Sequence, residues 1–117
     1  MDRKALIRQY KESRRPMGVF RVRNTADGRS LVGTSIDLPA MLNRQRAQLR
    51  LGAHPNRALQ KDWNELGAEA FEFVIVDTLA PPDAPDYDPS GDLRVLEGLW
   101  LEKLSPFDER GYNTRRK

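Results

Sequence analysis

The pattern of hydrophobic and polar positions separates three strand-like runs from longer runs with helical spacing. Two short β-like runs occupy residues 18–24 and 29–35. The Asp27-Gly28 step between them predicts a hairpin turn, because glycine accepts a positive φ freely. Residues 71–77 form the clearest strand, since they are rich in aromatic and β-branched side chains. The pattern therefore predicts a hairpin early in the chain and a single later strand.

Helical spacing of the apolar residues predicts four helices. They cover residues 2–13, 39–51, 55–66 and 92–104. Asp37 can cap the second helix, and Gly67 follows the third as a stop signal. Residues 80–92 hold four of the eight prolines, so they are expected to form an irregular loop. The predicted element order is α-β-β-α-α-β-α, with no internal repeat.

Composition indicates one ordinary globular domain. The chain has 117 residues, of which 38% are hydrophobic and 32% charged, which separates it from disordered tails. It has no cysteine and one histidine, so a disulfide framework is excluded and a structural zinc site is disfavoured. No apolar run approaches the ~18 residues of a membrane span, and the charged N-terminus lacks the apolar stretch of a secretory signal. We therefore expect a cytoplasmic protein with no membrane partner.

Positive charge is concentrated in three places, although the net charge is only +3. Bases cluster in residues 1–15, in the helix predicted at 39–51 and in the tail 115–117, whereas residues 81–92 are acidic. Such clustering favours a polyanionic partner. An ordinary solvated surface explains the charge pattern about equally well, so charge alone does not decide the function.

Two short motifs, with the segments that follow them, resemble the GIY-YIG nuclease superfamily. Gly18-Val19-Phe20 stands where that family has Gly-Ile-Tyr, and Leu31-Val32-Gly33 stands where it has Tyr-Ile-Gly. Further matches follow in the same order: Arg23-Asn24-Thr25, Asp27-Gly28, Gly33-Thr34-Ser35, Leu51-Gly52-Ala53-His54-Pro55-Asn56, Leu59-Gln60, Trp63-Asn64, Leu66-Gly67, Phe71-Glu72-Phe73, Glu97 with Trp100, and Gly111-Tyr112-Asn113. Each match is weak alone, but their shared order and spacing over nearly the whole chain support the resemblance.

The resemblance implies an α+β fold, in which a small three-stranded antiparallel sheet is flanked by helices. This fold agrees with the element order predicted from periodicity. It also divides the chain into a basic N-terminal helical extension at 1–16, the GIY-YIG-like domain at 17–113 and a basic tail at 114–117.

The resemblance also implies metal-dependent hydrolysis of nucleic-acid phosphodiesters, with Mg²⁺ or Mn²⁺ as the cofactor if the protein is active. In that chemistry a glutamate holds the ion, tyrosine hydroxyls help to activate water, and an arginine offsets charge on the phosphoryl oxygens. This sequence has Phe20 and Leu31 at the two tyrosine positions, Met41 at the arginine position and Gln45 where a histidine is common. The catalytic motifs are therefore degenerate.

Several candidate site residues remain. Glu97, which projects from an apolar helix face, is the expected metal ligand, and its alternative is a structural carboxylate. His54 can contact phosphate or cap a helix, and Arg44, one turn beyond Met41, can partly replace the missing arginine. The expected catalytic residues are thus Glu97, His54 and Arg44. The expected nucleic-acid contacts are Arg44, Arg46, Arg50, His54, Asn56 and Asn113.

The favoured interpretation is a nucleic-acid-binding, GIY-YIG nuclease-like protein whose cleavage activity is weak or lost, with DNA or RNA as its partner. One alternative is a non-catalytic protein-interaction scaffold on the same fold. The other is an active, divergent endonuclease with a metal ion on Glu97.

Overall fold

The computed structural model describes residues 16–80, 82, 84 and 86–114. The predicted helix at 2–13 and the basic tail at 115–117 lie outside these residues. The described part contains three strands, three helices and two short 3₁₀ turns. In chain order these are β1 Met17–Asn24, β2 Ser30–Ser35, α1 Leu38–Leu51, α2 Arg57–Leu66, the turn Ala68–Ala70, β3 Phe71–Leu79, α3 Ser90–Leu104 and the turn Asp108–Arg110.

The strands form one antiparallel sheet in the order β2-β1-β3, which confirms the predicted α+β class and the three-stranded sheet. Phe20 lies opposite Gly33, and Val22 lies opposite Leu31. Directly opposed residues share a face and neighbours along a strand alternate. One face therefore carries Phe20, Val22 and Leu31, and the other carries the intervening residues of β1 and β2.

The first face of the sheet is covered by α1 and α2, and this is the main core. Phe20 and Val22 pack there with Leu38 and Leu49 of α1 and Leu59 of α2, all of them buried. Trp63 of α2 also belongs to this core and contacts two aromatic rings of β3, with ring centroids 5.4 Å and 6.2 Å away. Burial of this apolar surface is the main force that holds α1 and α2 on the sheet.

The second face is covered by α3. Val19 and Val32 are buried on this face, and Leu93 is the buried residue of α3. The indole Nε1 of Trp100 donates a hydrogen bond of 2.9 Å to Asp77 on β3. Leu96, Trp100 and Leu104 of α3 are only partly buried, so the deeper contact with the sheet lies nearer the start of the helix.

The starts of β1, β2 and α1 differ from the prediction by one residue, and three other boundaries differ by two. The second described helix begins at Arg57 because the side chain of Asn56 caps it, accepting a 3.0 Å hydrogen bond from the Leu59 N–H. Strand β3 continues to Leu79, which pairs with Met17. Helix α3 begins at Ser90 rather than at 92. Local periodicity does not reveal these caps and long-range pairings.

The segment after α3 returns to the sheet and closes the domain. Gly111 bridges to Ser30 at the start of β2, and the Tyr112 N–H donates a 2.8 Å hydrogen bond to the Ser30 carbonyl. A Cβ atom at Gly111 would lie 2.0 Å from the Pro106 carbonyl oxygen, so only glycine permits this approach. No helix in the described part of the chain combines the length and apolar character needed to cross a membrane.

Candidate active site and nucleic-acid interface

The positions that correspond to the family tyrosines and arginine are part of the core. Phe20 is buried, and its ring lies against Gly33, where an added Cβ would be 2.8 Å from the ring's Cζ atom. Leu31 and Met41 are partly buried and pack against the same cluster. None of these three side chains can donate a hydrogen bond or carry charge. The structure therefore uses them for packing.

His54 joins α1 to α2 through hydrogen bonds. It is only 6% exposed, and its Nε2 lies 2.5 Å from Oε1 of Gln45. Its Nδ1 accepts a 3.0 Å hydrogen bond from the Asn56 N–H, so the other nitrogen, Nε2, carries the proton. Burial lowers the pKa of His54, which favours the neutral ring. In this arrangement both ring nitrogens are engaged inside the domain.

Gln45, at the position where the family often has histidine, is the partner that holds His54. Gln45 is 9% exposed, and besides its contact with His54 its Nε2 lies 3.5 Å from the sulfur of Met41. The backbone N–H of His54 donates to Gln60, whose own amide donates to the Leu49 carbonyl. These bonds favour a structural role for His54, and its expected contact with phosphate stays a prediction.

Asn56 and Asn113 also form specific hydrogen bonds within the fold. Besides capping α2, Asn56 donates a 2.6 Å hydrogen bond from Nδ2 to the Tyr112 carbonyl. The Asn113 amide pairs with Val32 twice, accepting from its N–H and donating to its carbonyl, each at 2.8 Å. The two asparagines thus tie the C-terminal segment to α2 and to β2. Their expected nucleic-acid contacts stay predictions.

The three arginines of α1 do not share one face. Arg46 and Arg50 are four residues apart and lie on the same flank, whereas Arg44 is two residues, or about 200°, from Arg46 around the axis. The Arg46 guanidinium lies over the ring of Phe73, 4.5 Å from its centroid. Arg44 and Arg50 are exposed. The helix therefore presents positive charge on two flanks.

A groove of about 430 Å³ lies along α2 and also carries positive charge. Its cations are Arg57 and Lys61, and Asn64 adds a polar side chain on the same side of the helix. Glu65 also borders the groove and lies 4.0 Å from Lys61, so it offsets part of the positive charge. The surface is mixed, with cations in excess.

Glu97 lies in a separate groove of about 260 Å³ between β2 and α3, which we call the Glu97 groove. Thr34 contributes from β2, and Ser90, Leu93, Arg94 and Glu97 contribute from α3. Thr34 pairs with Val19, so it belongs to the sheet face that α3 covers. Among the described residues, no hydrogen bond or ion pair joins Glu97 to His54 or Arg44. The three expected catalytic residues thus lie in different parts of the fold: Arg44 on α1, His54 in the loop that follows it, and Glu97 on α3.

The Glu97 groove fits a divalent cation only in a limited way. One carboxylate and the hydroxyls of Thr34 and Ser90 supply oxygen ligands, which are the donors that Mg²⁺ and Mn²⁺ prefer. Across the part of the chain that the structure describes, no three His, Cys, Asp or Glu side chains converge on one point. The residues therefore fit an ion that is held by one carboxylate and keeps most of its water.

A partly buried polar network was not anticipated from the sequence. The Tyr112 hydroxyl donates a 2.6 Å hydrogen bond to Asp62 and accepts one of 3.0 Å from the Asn24 amide. The guanidinium of Arg29 also bonds to Asp62, and its Nε lies 2.7 Å from Asp27. Burial and the bond to Asp62 raise the pKa of Tyr112 far above its usual value, so the phenol stays neutral. The hydrogen bonds of the Tyr112 hydroxyl join residues 50 and 88 positions apart, so no local sequence pattern indicates them.

This architecture defines a GIY-YIG-like domain, as the family motifs predicted. Among solved structures, the catalytic domain of the homing endonuclease I-TevI is similar to it, with 25% sequence identity and a TM-score of 0.67 over 86% of this chain and 99% of that chain. A mutant of the catalytic domain of the intron endonuclease I-TevI is also similar, with 23% identity and a TM-score of 0.68 over 84% and 92%. No family model and no curated protein matches the sequence. This chain thus shares the fold of the I-TevI catalytic domain.

Proposed function

We propose that this protein is a nucleic-acid-binding domain on the GIY-YIG nuclease fold, in which phosphodiester cleavage is weak or lost. One observation carries the proposal. The positions that would supply the hydroxyls and the arginine hold Phe20, Leu31 and Met41, and these side chains pack in or against the core. They can neither position water nor offset charge on a phosphoryl oxygen.

Nucleic acid is the favoured partner because cations outnumber acids on α1 and along the groove of α2. Arg44 and Arg50 are exposed on α1, and Arg57 and Lys61 border the neighbouring groove. Phosphates on a nucleic-acid backbone are bound by such side chains with release of counterions. The similarity to an endonuclease catalytic domain supports the same class of partner.

Glu97 would hold Mg²⁺ or Mn²⁺, with the hydroxyls of Thr34 and Ser90 beside it. A bound ion would supply Lewis-acid polarisation of phosphate oxygens. The residues of this chain would bind and orient the phosphate. A cytoplasmic location is part of the proposal, because nucleic acid is available there.

Binding is tested by fluorescence anisotropy with the full chain and labelled single-stranded DNA, double-stranded DNA and RNA of one sequence. The titrations are run in EDTA at low salt and at several higher salt concentrations. We expect measurable binding whose affinity falls steeply with salt. If none of the three substrates binds at low salt, the nucleic-acid proposal is wrong and the protein-interaction scaffold becomes the better function.

A further inference from the structure

The Glu97 groove contains an arginine, Arg94, that is not among the residues that carry the family resemblance. Arg94 and Glu97 are three residues apart on α3, so their side chains neighbour each other on one side of the helix. Both line the groove together with the hydroxyls of Ser90 and Thr34, and the buried Leu93 forms an apolar part of its wall. A cation, a carboxylate and two hydroxyls therefore border one small groove.

Neither charge in this groove is neutralised within the described part of the chain. Among described residues, no ion pair or hydrogen bond engages the side chain of Arg94 or of Glu97. Arg23 and Arg29, by contrast, are paired with Glu72 and with Asp62. A basic residue that precedes an acidic one on a helix is also the less favourable order for a pair. Arg94 and Glu97 are thus both available to a ligand.

The chemistry of the groove fits a phosphate accompanied by a divalent cation. A guanidinium presents N–H groups in a planar fork that matches two phosphate oxygens, and serine and threonine hydroxyls donate to phosphate as well. Glu97 alone would repel the phosphate. A divalent cation held by Glu97 would offset that repulsion, because its charge exceeds that of the single carboxylate. A volume of about 260 Å³ leaves room for a phosphate and several waters of about 30 Å³ each.

We propose that Arg94 is the phosphate-binding residue of the Glu97 groove, where it holds a nucleic-acid phosphodiester together with a divalent cation on Glu97. This inference rests on the proposed function and adds a residue to it. The sequence directed attention to Arg44 as the replacement for the missing arginine. Arg44, however, lies on α1 and is not among the residues that line the groove.

The test measures oligonucleotide affinity by anisotropy with the full chain, in Ca²⁺ and in EDTA. The variants are Arg94→Gln and Arg94→Lys, with Arg44→Gln as the matched control. Arg44 is a suitable control because both arginines are exposed on helices. Thermal unfolding checks that each variant folds. In Ca²⁺ we expect Arg94→Gln to weaken binding about tenfold, with Arg94→Lys between it and the wild type. In EDTA we expect Arg94→Gln to lose much less affinity than in Ca²⁺. Arg44→Gln is expected to lose the same affinity in both conditions.

The outcomes separate this inference from the proposed function. If the wild type binds and Arg94→Gln binds equally well in Ca²⁺, the role of Arg94 is wrong while nucleic-acid binding stands. A second measurement applies if the wild type binds no oligonucleotide. It uses dimethyl phosphate as the ligand and follows the broadening of its ³¹P line by protein-bound Mn²⁺. Broadening that Arg94→Gln abolishes would then support the groove without the proposed function, and equal broadening in both proteins would overturn the assignment.

Discussion

The partly buried network around Tyr112 and the Glu97 groove contain similar residue types, but their charged side chains differ in whether they have partners within the described residues. In the network, Asp62 is bonded to both Arg29 and the Tyr112 hydroxyl, and Asn24 bonds to the same hydroxyl. Among described residues, the charges of the groove have no such partners. Buried polar groups must be hydrogen-bonded, whereas exposed charges beside a groove can stay hydrated until a ligand binds. The contrast supports a stabilising role for the network and the phosphate-binding role that we propose for the groove.

The largest expected effect comes from removing the centre of the network. Asp62→Ala leaves Arg29 and the Tyr112 hydroxyl without their shared acceptor, so the free energy of unfolding should fall by roughly 2–4 kcal/mol. Asp27→Ala is the matched control, because it removes an exposed partner of the same arginine and should cost less than about 1 kcal/mol. Urea unfolding measures both. Equal losses would show that the network does not stabilise the fold in this way.

A smaller effect, on binding rather than stability, is expected for an exposed arginine of α1. Arg50→Gln should weaken nucleic-acid affinity several-fold and reduce the slope of log affinity against log salt by about one, because one phosphate contact is lost. Anisotropy titrations at several salt concentrations measure that slope, and the unfolding curve should not change. A lower stability with unchanged binding would contradict the nucleic-acid-binding role that we propose for α1.

A third effect appears only at acidic pH and concerns His54, the single histidine. Burial lowers its pKa in the folded state, so the unfolded chain takes up a proton first as the pH falls. The stability from neutral His54 is complete above the unfolded pKa of about 6.5 and is lost as the pH falls toward the lower folded value. His54→Gln should reduce this pH dependence. A histidine NMR titration with a raised pKa would instead favour an anion contact.

The parts of the fold that follow from local chemistry were predictable. Three predicted features depend only on residues that are close together along the chain, and the structure contains all of them. They are the turn at Asp27-Gly28, the strand at residues 71–77 and the helix cap at Asp37. The Tyr112 network was not predictable, because Asn24 and Tyr112 are 88 positions apart and no periodicity links them.

The site was predicted only in part for the same reason. The family motifs indicated Glu97 and His54 as site residues. In the structure Glu97 lines a groove, whereas His54 is hydrogen-bonded between α1 and α2. The sequence did not indicate Arg94, because its neighbours in the groove include Thr34, which lies on a strand 60 positions earlier in the chain. Tertiary packing brings these residues together.

The most direct test of the central claim follows cleavage and binding on the same labelled DNA and RNA substrates, in Mg²⁺ and in Mn²⁺. Wild type and Glu97→Ala are purified in parallel and compared at concentrations that saturate binding. Each catalytic group that is lost typically lowers the rate 10²- to 10³-fold, so we predict binding with no cleavage, or equal trace cleavage in both proteins. Robust metal-dependent cleavage that disappears in Glu97→Ala would contradict the account, because it would show a working active site rebuilt around Glu97.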